Sequence, residues 1–318
     1  MIEEKIIIGE NTKYPLNGLL TLPDCAKTNL VPAVVFVHGS GASNMDEKVG
    51  KLTPFKDLAE GLAKHGIASI RYDKRSFTHG LKLVKEKDVT VKMETIEDAI
   101  LATEMLKKDS RIDKDNIFII GHSMGAMLAP RIDAEGGNYR GLIMMAGSPR
   151  KLEEIMLDQN EDVLRTTKGL VHWIVQKQVA KITEMFDGLY QLSDEDAKKK
   201  KVGNGTTLYY FKEMGEHAAS NYLTATQKPM LIMQGEKDFQ ATVEKDFEGY
   251  KQLLSNKNDV TFRLYENLNH AFVPSVYGNI TKVKQEYNVE QHISEEVIID
   301  IANWIMEIGN EKYNALLY

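Results

Sequence analysis

Two patterns of hydrophobic and polar positions alternate along this chain. Apolar runs of strand length recur at 5–9, 18–22, 32–37, 67–72, 116–120, 141–146, 229–234 and 260–265. PAVVFV at 32–37 is apolar throughout, and NIFII at 116–120 is apolar after its asparagine, which suits strands covered on both faces. Between them the apolar spacing changes to the helical period. In 55–65 Leu58 and Leu62 lie one turn apart and Gly66 ends the pattern, and in 93–108 Ile96, Ile100, Thr103 and Leu106 share a face. Further helices are predicted over 124–134 and 294–308, the last with Ser294 as N-cap and Glu295 and Glu296 in its first turn. Strands alternating with helices predict an α/β fold, a mostly parallel central sheet flanked by helices.

One stretch departs from this rhythm. From 149 to 228 no strand pattern occurs, and 151–157, 163–179, 182–189 and 207–223 read as helical. That is more chain than a crossover needs. It predicts a helical cap insertion at 150–225, with 1–149 and 226–318 forming the core. Met156, Leu157, Trp173, Ile174, Met185, Phe186, Tyr190, Tyr209, Tyr210 and Phe211 are its large apolar residues. Holding the insertion together is their first expected role, and lining a pocket is the second. The four lysines 198–201 read as a solvated helix end.

Composition narrows the function classes. At 318 residues with 42% hydrophobic and 27% charged positions, the chain can bury a large core and stay in solution. A net charge of −6 argues against nucleic acid or an anionic membrane as the main partner. One cysteine, Cys25, excludes an intramolecular disulfide and fits a reducing compartment. No apolar run reaches signal-peptide or membrane-span length, so a cytoplasmic protein is the expectation. Homo-oligomerisation is left open.

The chemistry concentrates where strands end. Gly121-His122-Ser123-Met124-Gly125 follows the 116–120 strand and opens the 124–134 helix. A serine on so sharp a turn projects its hydroxyl from the sheet, and a side chain at 121 or 125 would collide across it. The N–H of Met124 then points where an oxyanion would form, aided by the helix N-terminus. With strand before and helix after, this turn resembles the nucleophile elbow of the α/β-hydrolase superfamily.

That resemblance organises the remaining motifs. His38-Gly39-Ser40-Gly41 follows the first central strand, where the superfamily carries its second oxyanion donor, which implies the backbone N–H of Ser40. The competing reading of 39–44 as a dinucleotide fingerprint lacks its third glycine and the helix that must follow at once. His38 is expected to be a structural hydrogen-bonder. Downstream, Gln234-Gly-Glu-Lys-Asp238 and Asn269-His270 each end a strand pattern. The order Ser123, Asp238, His270 is the superfamily's chain order. His270 would take the serine proton, and Asp238 would fix the imidazole tautomer. His292 is the rival base; Glu236 and Asp246 are the rival acids. Asp73, Lys74 and Arg75 are expected to form a structural salt-bridge cluster, or else to bind an anionic substrate end.

With Arg71-Tyr-Asp-Lys-Arg75, these segments are most similar to bacterial serine esterases and acyl hydrolases related to dienelactone hydrolases and acylaminoacyl peptidases. The resemblance implies a carboxylic-ester hydrolase of small substrates, working through an acyl-enzyme without cofactor or metal. An amidase or aminopeptidase on the same residues is the alternative enzyme, and a small-molecule-binding protein on the same fold is the alternative outside catalysis.

Overall fold

The computed structural model describes residues 1–86, 88–202 and 206–315. Among them the strands are β1 (Ile2–Ile8), β2 (Leu16–Leu22), β3 (Val31–Val37), β4 (Ala68–Tyr72), β5 (Ile112–His122), β6 (Leu142–Met145), β7 (Met230–Gly235) and β8 (Val260–Tyr265). They form one sheet in the order β1-β2-β4-β3-β5-β6-β7-β8. β2 pairs antiparallel with β1 and β4, and every other pairing is parallel. The mostly parallel sheet expected from the sequence is therefore present.

The apolar runs are explained by two cores, one on each face. Along β3, Ala33, Val35 and Val37 enter one core, while Val34 and Phe36 enter the other. β5 divides likewise, Ile117 and Ile119 against Phe118 and Ile120. Helices Pro54–Lys64 and Glu295–Ala315 cover the face that carries Phe36, through Phe55, Leu58, Leu62, Val297, Ile301 and Ile305. Helices Glu97–Lys108 and Met124–Ile132 cover the other, through Ala99, Ala102, Leu106 and Leu128. Truncating a fully buried side chain such as Phe55 is expected to cost about 3–5 kcal/mol.

Three local readings are corrected. The segment after β4, for which no helix was predicted, is the helix Arg75–Leu83. Tertiary pairing starts it: buried Arg75 binds Asp98 and Glu97 of the adjacent helix. The pattern at 163–179 is broken between helices Leu152–Thr166 and Gly169–Phe186. Thr167 and Lys168 are extended and Gly169 has φ 61°, so the chain turns there while its apolar period runs on. The 207–223 pattern is likewise split, at His217 and Ala218, into Leu208–Glu216 and Ala219–Ala225. All of these helices but Arg75–Leu83 lie between β6 and β7. No helix of the described residues is long and apolar enough to cross a membrane.

Candidate active site

β5 ends at His122 and a helix begins at Met124, so Ser123 must reverse the chain in one residue. Its backbone is held at φ 54°, ψ −118°, a conformation unusual for a residue with a side chain. The turn is fixed from both sides. Ser123 N–H donates to the Met145 carbonyl at 2.9 Å, and the Ser123 carbonyl accepts from Ala126 and Met127 at 3.0 and 3.2 Å. A Cβ on Gly121 would lie 2.3 Å from the Gly125 carbonyl oxygen, and one on Gly125 would lie 2.1 Å from that of Val37. Glycine is thus required at both positions, the second because β3 passes so close.

Asp238 follows β7 through a turn that packs against the chain after β8: a Cβ on Gly235 would meet the Leu268 carbonyl at 2.4 Å. This close approach sets Asp238 beside His270. The Asp238 Oδ2 to His270 Nδ1 distance is 2.7 Å, and both side chains are buried. Gln234 Nε2 donates to the same oxygen at 2.6 Å, while Oδ1 accepts the N–H groups of Gln240 and Ala241 at 2.7 and 3.0 Å. Such a carboxylate has its acceptor capacity filled and cannot swing away. The His270 loop is pinned in turn by fully buried Asn269, whose Nδ2 donates to Glu286 Oε1 at 2.9 Å and whose Oδ1 accepts from Ala271 N–H at 3.0 Å.

Ser123 and His270 line one cavity of about 670 Å3. Ser40 and Met124 line it too, and neither N–H has an acceptor among the described residues. The far wall is apolar, with Leu83, Val89, Met127, Ile155, Met156 and Phe211. Of the large residues singled out between β6 and β7, Met156, Tyr210 and Phe211 line this cavity. Trp173 and Ile174 are exposed, and Phe186 packs edge-on against Phe211 at 5.0 Å between ring centres.

The rivals lie elsewhere. His292 is on the surface, bonded to Asp57 at 3.0 Å. Asp246 is buried and engaged by Ser148 Oγ at 2.6 Å and by Arg150 at 2.9 Å. Glu236 is exposed beside Lys237. His38 is buried with Nε2 3.0 Å from the Asn44 carbonyl oxygen, and burial drives its imidazole down to about 4. The charged cluster after β4 points inward: Asp73 accepts from Met45 N–H at 2.8 Å, and buried Arg75 pairs with Asp98.

A buried carboxylate and a largely covered histidine escaped the sequence reading. Glu47 Oε1 accepts the Gly39 N–H at 2.7 Å, and its Oε2 lies 3.0 Å from His122 Nδ1. His122 Nε2 lies 2.9 Å from the His270 carbonyl oxygen. With an acceptor against each ring nitrogen, His122 is best satisfied as an imidazolium. Burial opposes that charge most strongly, but Glu47, the His270 carbonyl and Asp238 together outweigh it and raise the group. Burial pushes the Glu47 carboxyl up, and His122, His38 and the Gly39 N–H together more than reverse this. The pair therefore ties the loop after β3 and the His270 loop to the residue preceding Ser123. Nothing in the sequence links positions 47 and 122; only the fold brings them together.

Comparison with known proteins agrees with this architecture. The hydrolase family described as serine aminopeptidase, S33, matches residues 29–274. Esterase EstD of Thermotoga maritima is 35% identical over 305 residues, 96% of this chain and 68% of that protein. Among solved structures, an esterase of Pyrococcus furiosus superposes with a TM-score of 0.56 at 15% identity, covering 96% of this chain and 91% of the other. The acylaminoacyl peptidase of Pyrococcus horikoshii gives 0.53 at 12% identity, over 94% of this chain and 44% of that one. At such identities the structures speak to fold, and the sequence matches speak to family. The chain belongs to the serine aminopeptidase S33 family of hydrolases, within the α/β-hydrolase superfamily.

Proposed function

We propose that this protein hydrolyses carboxylic esters of small substrates through an acyl-enzyme on Ser123. His270 takes the Ser123 proton as the hydroxyl attacks the acyl carbon, then returns a proton to the leaving alcohol. Asp238 holds the Nδ1–H tautomer and stabilises the imidazolium that forms. The N–H groups of Ser40 and Met124 receive the oxyanion, the second with the field of the helix it begins. Water, activated by His270, then releases the acid. Residues 150–225 act as a cap in this reading, and the apolar wall they supply favours an uncharged acyl group. The observation that carries the reading is the buried Asp238–His270 bond of 2.7 Å, opening into the cavity that Ser123 lines. The esterase relative from Thermotoga maritima supports the choice of ester.

The family description favours a second reading, an aminopeptidase. An aminopeptidase holds the substrate's ammonium with an unspent carboxylate. Among the described residues lining the cavity, the carboxylate is Glu94, already engaged by Lys74 and Tyr210. Turnover of p-nitrophenyl esters beside matched aminoacyl anilides separates the two. Ester turnover with little anilide cleavage is expected; cleavage of the anilides alone would overturn the ester reading.

A further inference from the structure

The nucleophile, base and acid do not use the buried ammonium of Lys74. Its side chain is 2% exposed, and Nζ donates to the Gly39 carbonyl oxygen at 2.8 Å. That carbonyl belongs to the peptide whose N–H is that of Ser40. In a trans peptide the two groups point in opposite directions. A donor gripping the oxygen therefore sets where the N–H points, and by drawing charge along the conjugated unit it makes that N–H a stronger donor. Gly39 is also held at its own N–H by Glu47 at 2.7 Å, and it packs so close to Ser123 that a Cβ there would lie 3.1 Å from the serine's Cβ. The ammonium is fixed from behind. Glu94 Oε1 is 3.5 Å from Nζ, and Glu94 Oε2 accepts from the Tyr210 hydroxyl at 2.8 Å. Lys74 N–H also donates to the Ser43 carbonyl at 3.0 Å, closing the loop after β3 onto the end of β4. Tyr210 and Glu94 line the cavity. Tyr210 comes from the helical segment between β6 and β7.

We propose that Lys74 is a positioning residue for the oxyanion donor: it orients and polarises the Gly39–Ser40 peptide, and Glu94 with Tyr210 holds it there. The proposal rests on the reading of Ser40 N–H as an oxyanion donor. It makes the helical segment part of the reaction machinery, because a hydroxyl from that segment completes the chain of contacts ending at the Ser40 N–H.

The test compares wild type, Lys74→Met, the double variant Lys74→Met/Glu94→Leu and Tyr210→Phe. The double variant removes the buried pair together, so no unpaired carboxylate confuses the result. Three quantities are measured: kcat and KM for a p-nitrophenyl ester, the affinity of a trifluoromethyl ketone that binds as an oxyanion, and the rate of fluorophosphonate labelling. In the double variant kcat is expected to fall about 30- to 100-fold, with KM within about threefold and ketone affinity falling in step with kcat. Tyr210→Phe is expected to move the same two quantities about three- to tenfold. Ketone affinity and labelling rate within about threefold of wild type in the double variant or, should that variant not fold, in Tyr210→Phe would overturn the proposal, as would a rise in KM at unchanged kcat. A wild type that turned over no ester would count against the ester reading alone. Lys74 would then be judged by the labelling rate, which the same N–H accelerates.

Discussion

The floor and the roof of the cavity are built in different ways. The floor is the top of the sheet. There Asp238, His270, Asn269, Glu47 and Lys74 are buried, and each is held by polar contacts from neighbouring strands, loops or helices. In the proposed reading the roof is the helical segment between β6 and β7, which lines the cavity through Leu152, Ile155, Met156, Tyr210 and Phe211. Its longest helix, Gly169–Phe186, buries Val179 and Phe186 but leaves Leu170, Val171, Trp173 and Ile174 exposed. Reacting groups must hold their geometry within a fraction of an ångström, which a network of buried polar contacts supplies. Recognition of an acyl group needs only a fitting apolar wall, which tolerates substitution. Chemistry and selectivity should therefore respond to mutation on different scales, and Tyr210 should break the division because, among the described roof residues, it is the one whose side chain bonds Glu94.

The largest expected effect lies on the floor. Asp238→Asn should cut kcat by about 10³- to 10⁴-fold, because its amide presents a donor where His270 needs an acceptor. KM should hardly move, and steady-state kinetics on a p-nitrophenyl ester would show it. A rise in KM at unchanged kcat would mean that Asp238 shapes ground-state binding instead.

Next comes the acid stability of the floor. His38 is held down to about 4, from an ordinary value of 6.5, because burial disfavours its charge. A depressed folded-state value contributes stability fully present above 6.5 and lost as pH falls toward 4. That loss is about 3 kcal/mol across the window. The stability gap between wild type and His38→Gln should shrink by about that amount between pH 7 and pH 4, as measured by denaturant unfolding. A gap independent of pH would show that His38 does not carry the acid sensitivity.

Glu47→Gln is expected to be milder. It keeps an acceptor for the Gly39 N–H and removes the charge that supports the His122 imidazolium, so kcat should drop about tenfold. Loss of activity as complete as that of Asp238→Asn would place Glu47 in the reaction itself. The smallest effect belongs to the roof. Trp173→Ala, at a side chain that is 52% exposed, should leave ester turnover within about twofold and stability within about 0.5 kcal/mol. A larger change would mean that the exposed face of the roof is coupled to the floor.

The same division decides what could be read in the sequence. Floor elements leave strong local marks. An apolar run covered on both faces admits few polar residues, and a turn as tight as Ser123's demands glycine at 121 and 125. Asp238 and His270 each follow a recognisable strand, so chain order alone brought them into view. Glu47 and His122 left no such mark, because their pairing depends on the loop after β3 folding back to β5. Lys74 stood within a charged run that was visible, but its target is a backbone carbonyl, which sequence cannot specify. The roof was read as helical, yet its breaks at Thr167 and His217 were not, since the apolar period continues across both while the backbone does not. The helix Arg75–Leu83 was missed because a tertiary ion pair, rather than a cap or a period, starts it.

The central claim is that Ser123 is the attacking group and that the floor activates it. A fluorophosphonate probe followed by peptide mass spectrometry tests this most directly. One adduct is expected, on Ser123, absent in Ser123→Ala and slowed at least about a hundredfold in His270→Ala. A wild-type chain that remains unlabelled, or carries its adduct on another residue, would contradict it.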